Sequence, residues 1–378
     1  MLDHNQVPIR VYNPRRLRAW SLEAERIAVG RPGDYKPSMA LLPDGELLLV
    51  AFYQQGQAGA NFHEVTTIWR SRDGGRTWSE RDDRTDVIGR EQFLSCVSDG
   101  TLFMSAHILP DDTAYPEGPG RFHSYLHRST NGGHTWERTQ VLLEGDARAD
   151  APESAGTTTD RNVIELPDGT LLFGVALTSS NVAYMWRSVD KGATWQRDRK
   201  CHIRGYYDNE DGFFSNSTTY LEHNGSLLHF VRVGDPSPMT RMQDLRIGAA
   251  EGNDNVDRTM LTRSADQGLT WTCLEDFSDY GQMYPRICVL RDGRWLLTFT
   301  QRGVTYPFGL RATISYDEGT TWNLHYDQII IDGFTPWEAA SGGGFGNTLQ
   351  LDDGSLVSCY SYRGSDDQTR VDVVRWSV

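Results

Sequence analysis

The sequence predicts an all-β fold, a six-bladed β-propeller of four-stranded antiparallel blades, on three observations. An octapeptide S-x-(D/N)-x-G-x-T-W recurs five times. A hairpin module centred on Asp-Gly or Asn-Gly recurs six times, and successive modules are spaced by about one sixth of the chain. Repetition of a unit too small to bury its own apolar face marks a repeat architecture. Blades packed radially around an axis leave few exposed edges.

Taken in chain order, the segment Glu25–Val29 precedes the first module and is expected to supply the strand that closes the ring. The modules then read LLPDGELLLVAF around Asp44, CVSDGTLFMSAH around Asp99, ELPDGTLLFGVA around Asp168, LEHNGSLLHFVR around Asn224, VLRDGRWLLTFT around Asp292 and QLDDGSLVSCYS around Asp353. Apolar, β-favouring runs on both sides of such a dipeptide are a strong hairpin signal. The separations are 55, 69, 56, 68 and 61 residues, against 378/6 = 63. Each of the first five modules is followed by an octapeptide: Ser71–Trp78, Ser129–Trp136, Ser188–Trp195, Ser264–Trp271 and Ser315–Trp322. In each, Asp or Asn is expected to accept turn amides, Gly to supply φ > 0, and Trp to cover the bend. The sixth module runs instead into Val371–Trp376. Residues 1–378 therefore read as a single propeller domain without long helices.

Lys and Arg number 37 against 51 Asp and Glu, a net charge of −14. That balance argues against a nucleic-acid partner, which needs a basic face. It leaves room for an anionic small ligand, because a few cations focused in one cleft outweigh the global sign. No stretch approaches the roughly 20 apolar residues of a membrane helix, so no membrane partner is expected. The five cysteines, Cys96, Cys201, Cys273, Cys288 and Cys359, are widely spaced with no C-x-x-C. They indicate neither a disulfide framework nor a zinc ribbon, and Cys96, Cys288 and Cys359, in apolar runs, read as buried, inert thiols. The N-terminus MLDHNQVPIR shows no basic stretch followed by an apolar run, so a cytoplasmic location is expected. His123 and His127 share one strand face over about 13 Å and are expected to face solvent rather than to hold a metal. No P-loop, nucleophile elbow or dinucleotide fingerprint occurs, and neither metal nor cofactor is expected.

The five octapeptides resemble the Asp-box (bacterial neuraminidase) repeats of the sialidase superfamily, and the similarity extends over nearly the whole chain. The resemblance implies that Asp73, Asn131, Asp190, Asp266 and Asp317 are structural markers on outer turns. It also implies that active residues lie at the wide mouth of a central funnel. They would come from positions eight residues before each Asp-Gly turn, on the innermost strand, and about eight after it. Both lie one strand length from the same turn, hence at the same end of a blade. The first set is Lys36, Glu91, Asp160, Asn216, Tyr284 and Phe345; the second is Phe52, His107, Ala176, Arg232, Thr300 and Ser361.

Position by position, Tyr35-Lys36-Pro37 stands where the family has a carboxylate-binding arginine, and lysine is a point charge rather than a bidentate fork. Arg232 matches the second arginine, and Arg302 or Arg286 would be the third. Asn216 stands for the family's glutamate and Phe345 for its catalytic tyrosine, so the usual tyrosyl-enzyme route lacks its residues. The acid/base aspartate maps onto Asn61–Glu64, where Glu64 or His63 would replace it. The funnel still offers Glu91 and Asp160 as a carboxylate pair of the kind glycosidases need, with His107, Tyr284 and Arg161 beside them. Glu153 and the loop Arg204–Phe214 are further candidates.

The leading expectation is an exo-acting glycoside hydrolase that cleaves a terminal acidic sugar. Arg232 and Lys36 would bind the carboxylate, and Glu91 and Asp160 would act as acid and base. Replacing either acid by its amide is expected to abolish turnover with little change in melting temperature. A uronate-type lyase, with His107 or Tyr284 abstracting the α-proton, and a non-catalytic glycan-binding propeller are the other readings.

Overall fold

The computed structural model describes residues 11–13, 20–57, 60–109, 123–142, 156–177, 183–203, 218–221, 224–233, 257–302, 307–324, 328–335 and 343–378. The described residues form six sheets, antiparallel but for one two-residue pairing, and no helix. Blade one comprises Tyr35–Leu41, Leu47–Gln57, Ala60–Ser71 and Asp82–Arg84. Blade two comprises Arg90–Cys96, Leu102–Ile108, His123–Ser129 and Glu137–Gln140. Blade three has an inner strand split into Thr157–Thr159 and Ile164–Glu165, then Leu171–Leu177, Ala183–Ser188 and Lys200–Ile203, the last paired in parallel with Thr270–Trp271. Blade four is Thr218–Leu221, Leu227–Val233, Arg258–Ser264 and Glu275–Asp276. Blade five is Gln282–Val289, Trp295–Gln301, Phe308–Ser315 and Ile329–Phe334, extended by a hairpin of Val11–Asn13 and Trp20–Leu22.

Blade six joins Thr348–Gln350, Leu356–Arg363 and Thr369–Trp376 to an outer strand from the other end of the chain, Ala24–Ala28. The pairing runs from Asp372↔Ala28 to Trp376↔Ala24. In each blade the inner and second strands are joined at the Asp-Gly or Asn-Gly turn, where Gly45, Gly100, Gly169, Gly225, Gly293 and Gly354 all take φ between 81° and 87°.

Six apolar clusters hold the ring, each between neighbouring blades. Leu48, Val50 and Ile68 of blade one meet Leu94, Leu102 and Met104 of blade two. Phe103 and Leu126 meet Phe173, Tyr184 and Trp186 across blades two and three. Blade six packs on blade one through Val357, Val371, Leu47 and Trp69, so the join is as apolar as the other boundaries. Two flat sheet faces that can be buried only against another sheet thereby exclude water on both sides.

The octapeptides fold alike. In the third, Ser188 Oγ donates to Asp190 Oδ1 (2.8 Å), Gly192 N donates to Ser188 Oγ (2.8 Å), and Thr194 donates through its amide (2.9 Å) and its hydroxyl (2.6 Å) to the same carboxylate. These donors hold the Asp190 carboxyl at about 2, below its usual range. Trp78, Trp271 and Trp322 close their turns by donating Nε1 to the carbonyls of Gly75, Gly268 and Gly319. The carboxylates are consumed in turn geometry and face outward from the ring.

The thiols of Cys96, Cys288 and Cys359 are pushed up by burial to about 11, 11 and 12, and so stay protonated, although only Cys359 is fully buried. The expectation that His127 faces solvent is corrected: it is fully buried. Its Nε2 accepts from Ile88 N (3.2 Å) and its Nδ1 lies 3.2 Å from Met104 O, and burial holds the ring neutral with a pKa of about 4. The apolar periodicity of a strand packed between two blades buries both of its faces, so position on the strand does not predict exposure.

Candidate functional site

Three of the residues eight positions before a turn, Lys36, Glu91 and Tyr284, share an uncommon conformation, with φ of 50°, 53° and 56°. Each sits where the inner strand slips against the second: between Tyr35 and Ser38, Arg90 and Phe93, and Met283 and Arg286. Pro37 and Pro285 follow two of them and withhold the ladder N–H, which favours a bulge. In blade two Gln92 takes that place, and its side-chain amide donates to Gly89 O (2.5 Å). A left-handed non-glycine residue costs on the order of 1–3 kcal/mol and persists where a site needs the side chain re-aimed. Here the three bulges aim Lys36, Glu91 and Tyr284 at one region inside the ring.

Glu91 is the hub. Its Oε1 pairs with Lys36 Nζ and lies 3.7 Å from Arg90 Nη2. Its Oε2 accepts from Arg161 Nη2 (2.6 Å), and Arg161 Nη1 also donates to the Glu91 carbonyl (3.1 Å). Burial alone would raise this carboxyl, but Lys36, Arg161 and Arg90 hold it well below the usual range. Lys36 is pushed down to about 8, by burial first and by Arg90 and Arg302 as well, with Glu91 opposing. His107, four-fifths of the way along the second strand of the same blade, falls to about 3, because burial and the surrounding cations disfavour a further positive charge. It is a neutral imidazole.

Arg90 joins Glu91 to a second carboxylate. Its Nη1 lies 3.4 Å from Glu64 Oε1, and its Nη2 donates to Tyr35 OH (3.1 Å). Gln54 Nε2 donates to both Glu64 Oε1 (3.0 Å) and Tyr35 OH (3.2 Å). Burial pushes the Glu64 carboxyl up and ionised Glu91 adds to this, while Arg90 and Gln54 oppose it. Two carboxyls on one guanidinium are thus displaced in opposite directions.

The far side of the site is built on Tyr284. Its ring packs edge-on against Phe345 (centroids 4.9 Å apart) and lies under three guanidinium groups, Arg302 at 5.4 Å, Arg161 at 5.7 Å and Arg232 at 5.9 Å. Arg232 Nη1 reaches the Tyr284 hydroxyl at 3.5 Å, and its Nε pairs with Asp257. Arg161 also lies over Phe345, at 4.6 Å. Arg286, two residues farther along the blade-five inner strand, stacks on Phe93 of blade two at 4.5 Å. Six cations, Lys36, Arg90, Arg161, Arg232, Arg286 and Arg302, thus meet three carboxylates, Glu64, Glu91 and Asp257. A protein of net charge −14 carries a locally positive centre, and the chemistry that fits it is an anion.

Asp160 is not part of this constellation, and its expected pairing with Glu91 is corrected. Its carboxylate is 1 % exposed and lies 3.8 Å from His229 Nδ1 of blade four, in a recess that only Gly174 allows: a Cβ there would sit 1.9 Å from Asp160 Oδ2. Blade three has no left-handed residue at this position; Asp160 and Arg161 fall in the break between Thr157–Thr159 and Ile164–Glu165, and it is Arg161 that reaches Glu91. His63 is half-buried opposite Gln55 on the blade-one hairpin. Asn216, Glu153 and the loop Arg204–Phe214 lie outside the described residues.

Sequence reasoning missed Arg90, Tyr35, Gln54 and Asp257 as site residues. Arg90 and Tyr35 directly precede Glu91 and Lys36, so proximity to the turn-derived positions was the available signal. Gln54 and Asp257 carried none. At the opposite, turn end of the ring a cavity of about 620 Å³ lies among Leu42, Val97, Leu351 and Arg375. Arg375 there is occupied by Asp353, Ser355 and Gly74 O. Among the described residues no group of three or more His, Cys, Asp or Glu side chains could hold a metal.

Comparison with known proteins places this geometry in context. The family model described as BNR repeat-like domain matches residues 18–297. None of the curated proteins compared with the chain matches it. A crystal structure of a protein of unknown function from Dyadobacter fermentans superposes with a TM-score of 0.63 at 18 % identity, covering 94 % of this chain and 98 % of that one. A mutant of the NanB sialidase from Streptococcus pneumoniae gives 0.59 at 11 %, covering 93 % and 68 %. Trypanosoma rangeli sialidase in complex with sialic acid gives 0.57 at 14 %, covering 93 % and 58 %. At these identities the likeness is one of fold.

Proposed function

Because the chain belongs to the BNR repeat-like domain family and has the sialidase-like propeller fold, we propose that it is a glycoside hydrolase acting at the axial site on a terminal acidic sugar. The observation that carries this reading is the Glu64–Arg90–Glu91 bridge, in which one carboxyl is held toward its protonated form and the other is held ionised. Divergent pKa values in neighbouring carboxyls are the usual sign of an acid and an ionised partner, and glycosidic cleavage needs both. Glu64 donates the proton to the leaving oxygen as the glycosidic C–O bond breaks, and a water molecule then adds to the anomeric carbon and returns its proton to the Glu64 carboxylate. Glu91 keeps its charge to oppose the positive character of an oxocarbenium-like transition state, and Arg161 and Lys36 fix its position. Arg232, Arg302 and Lys36 receive the sugar carboxylate, and Tyr284 with Phe345 forms the floor.

A second reading is favoured by one contact, the Tyr284 hydroxyl facing Arg232. In a uronate lyase that hydroxyl would take the α-proton of a sugar whose carboxylate the arginines neutralise. A panel of para-nitrophenyl glycosides and natural acidic oligosaccharides, followed for reducing sugar and for the ultraviolet absorbance of an unsaturated product, separates the two. The hydrolase reading expects new reducing ends without absorbance. Absorbance gain supports the lyase, and sugar binding without turnover contradicts both.

A further inference from the structure

Gln92 stands where the other two bulges have proline. Glu91 and Gln92 are skipped by the ladder between Arg90↔His107 and Phe93↔Ser105, just as Lys36–Pro37 and Tyr284–Pro285 are skipped in blades one and five. A proline ring fixes φ and narrows the unfolded ensemble. Gln92 does neither, and its side chain is fully buried. Burying an amide costs free energy unless hydrogen bonds replace its water.

Both protons of this amide are donated. One goes to Gly89 O (2.5 Å), across the bulge itself, and the other to Thr66 Oγ1 (2.6 Å) on the third strand of blade one. Thr66 is fully buried as well. Along that strand Phe52↔Thr66 and Gln54↔Glu64 are regular pairs, so Thr66 and Glu64, two residues apart, share a face. Blade two meets this face twice: Arg90 Nη1 lies 3.4 Å from Glu64 Oε1, and Gln92 reaches Thr66. Glu91 stands between the two contacts in sequence.

We propose that Gln92 is a positioning residue, which ties the Glu91 bulge to Thr66 and so holds Glu64 and Glu91 in register across the boundary of blades one and two. The inference rests on the hydrolase reading above, in which those carboxyls are the proton donor and its ionised partner. Proline at this place would keep the bulge but leave the neighbouring hairpin untied. The amide fixes both.

Variants separate positioning from folding. Gln92→Pro keeps the bulge by the means that blades one and five use and breaks the tether. Thr66→Val breaks it from the other side at nearly constant shape, whereas Thr66→Ser keeps the hydroxyl. Combining Gln92→Pro with Thr66→Val removes both partners, which disturbs folding less than removing one.

The first readout is the Glu64 carboxyl signal in carbon-13 NMR of protein labelled at its glutamate carboxyls, assigned by its absence in Glu64→Gln. Burial and Glu91 raise this carboxyl against Arg90, Gln54 and Lys36, with Tyr35 the other ionisable neighbour. Its titration is expected to fall toward the ordinary range in the double variant and in Thr66→Val, and to stay in place in Thr66→Ser. The second readout is turnover of the para-nitrophenyl glycosides. A misplacement of about 1 Å costs up to about 10²-fold, so kcat is expected to drop about 10–100-fold with KM within about twofold. A titration and a kcat both unmoved in the folded double variant overturn the tether. So does a loss in Thr66→Ser as large as in Thr66→Val, and this pair decides should Gln92→Pro not fold. A parent that turns over no glycoside overturns the hydrolase reading, while the Glu64 signal still decides the tether, and the two failures are thereby told apart.

Discussion

Arg161 Nη2 lies 2.6 Å from Glu91 Oε2, across a blade boundary and 70 positions apart in sequence. With Lys36 on the other oxygen, this contact ties blades one, two and three together around a single buried carboxylate. Removing one member of a buried ionic cluster leaves the others uncompensated, which costs about 3–5 kcal/mol. Glu91→Gln is therefore expected to lower the melting temperature as well as turnover, contrary to the silent change that the sequence alone suggests. Thermal denaturation beside kinetics checks this; a fully stable, inactive variant would show that Glu91 does not hold Lys36 and Arg161 in place.

Lys36 is held at about 8 by burial among arginines. Above that pH it is neutral, and one of the charges for the ligand carboxylate is lost. The alkaline limb of kcat/KM is expected near pH 8, and Lys36→Arg, with a guanidinium that stays charged, is expected to move it upward. A pH profile of the two proteins decides; an unmoved limb removes Lys36 from ligand binding.

Asp34, fully buried beside Arg81, is pushed by burial from the ordinary 3.8 to about 6. The folded state therefore holds a proton that the unfolded state releases between about 4 and 6. This stabilisation is present below the unfolded value and is lost as pH rises through the folded one. Asp34→Asn, which mimics the protonated form, is expected to be more stable than the parent at pH 7.5 by up to about 3 kcal/mol. That margin should vanish near pH 4. Urea denaturation at the two pH values measures it.

Gly174→Ala would place its Cβ 1.9 Å from Asp160 Oδ2. Overpacking of this kind costs about 1–3 kcal/mol. Coupling with Asp160→Ala, which vacates the space, is expected to recover part of the loss. A double-mutant cycle by chemical denaturation reads the interaction; strict additivity would mean that the two groups do not meet.

Much of the fold was legible because its signals are local. The octapeptides encode their own turns through a serine, a carboxylate and a glycine within five residues, and each Asp-Gly pair fixes a hairpin. Counting strand lengths from those turns also found Lys36, Glu91 and Tyr284. What the count could not give was direction. A bulge with φ near +50° turns the first two and Tyr284 to a common centre, while Asp160, at the same count in blade three, stands at a break in the inner strand and lies against His229 of blade four. Glu64 was harder to find, because its place beside Arg90 depends on the register of a hairpin longer than its counterparts and on a contact with the next blade.

The most direct test of the proposed chemistry uses leaving groups. If Glu64 supplies the proton, Glu64→Gln should lower kcat/KM by about 10²–10⁴-fold for an alkyl or sugar leaving group that requires protonation. A dinitrophenyl leaving group, which departs as a stable anion, should lose little. Equal losses on both substrates would contradict the assignment of Glu64 as the acid and, with it, the Glu64–Arg90–Glu91 account of the site.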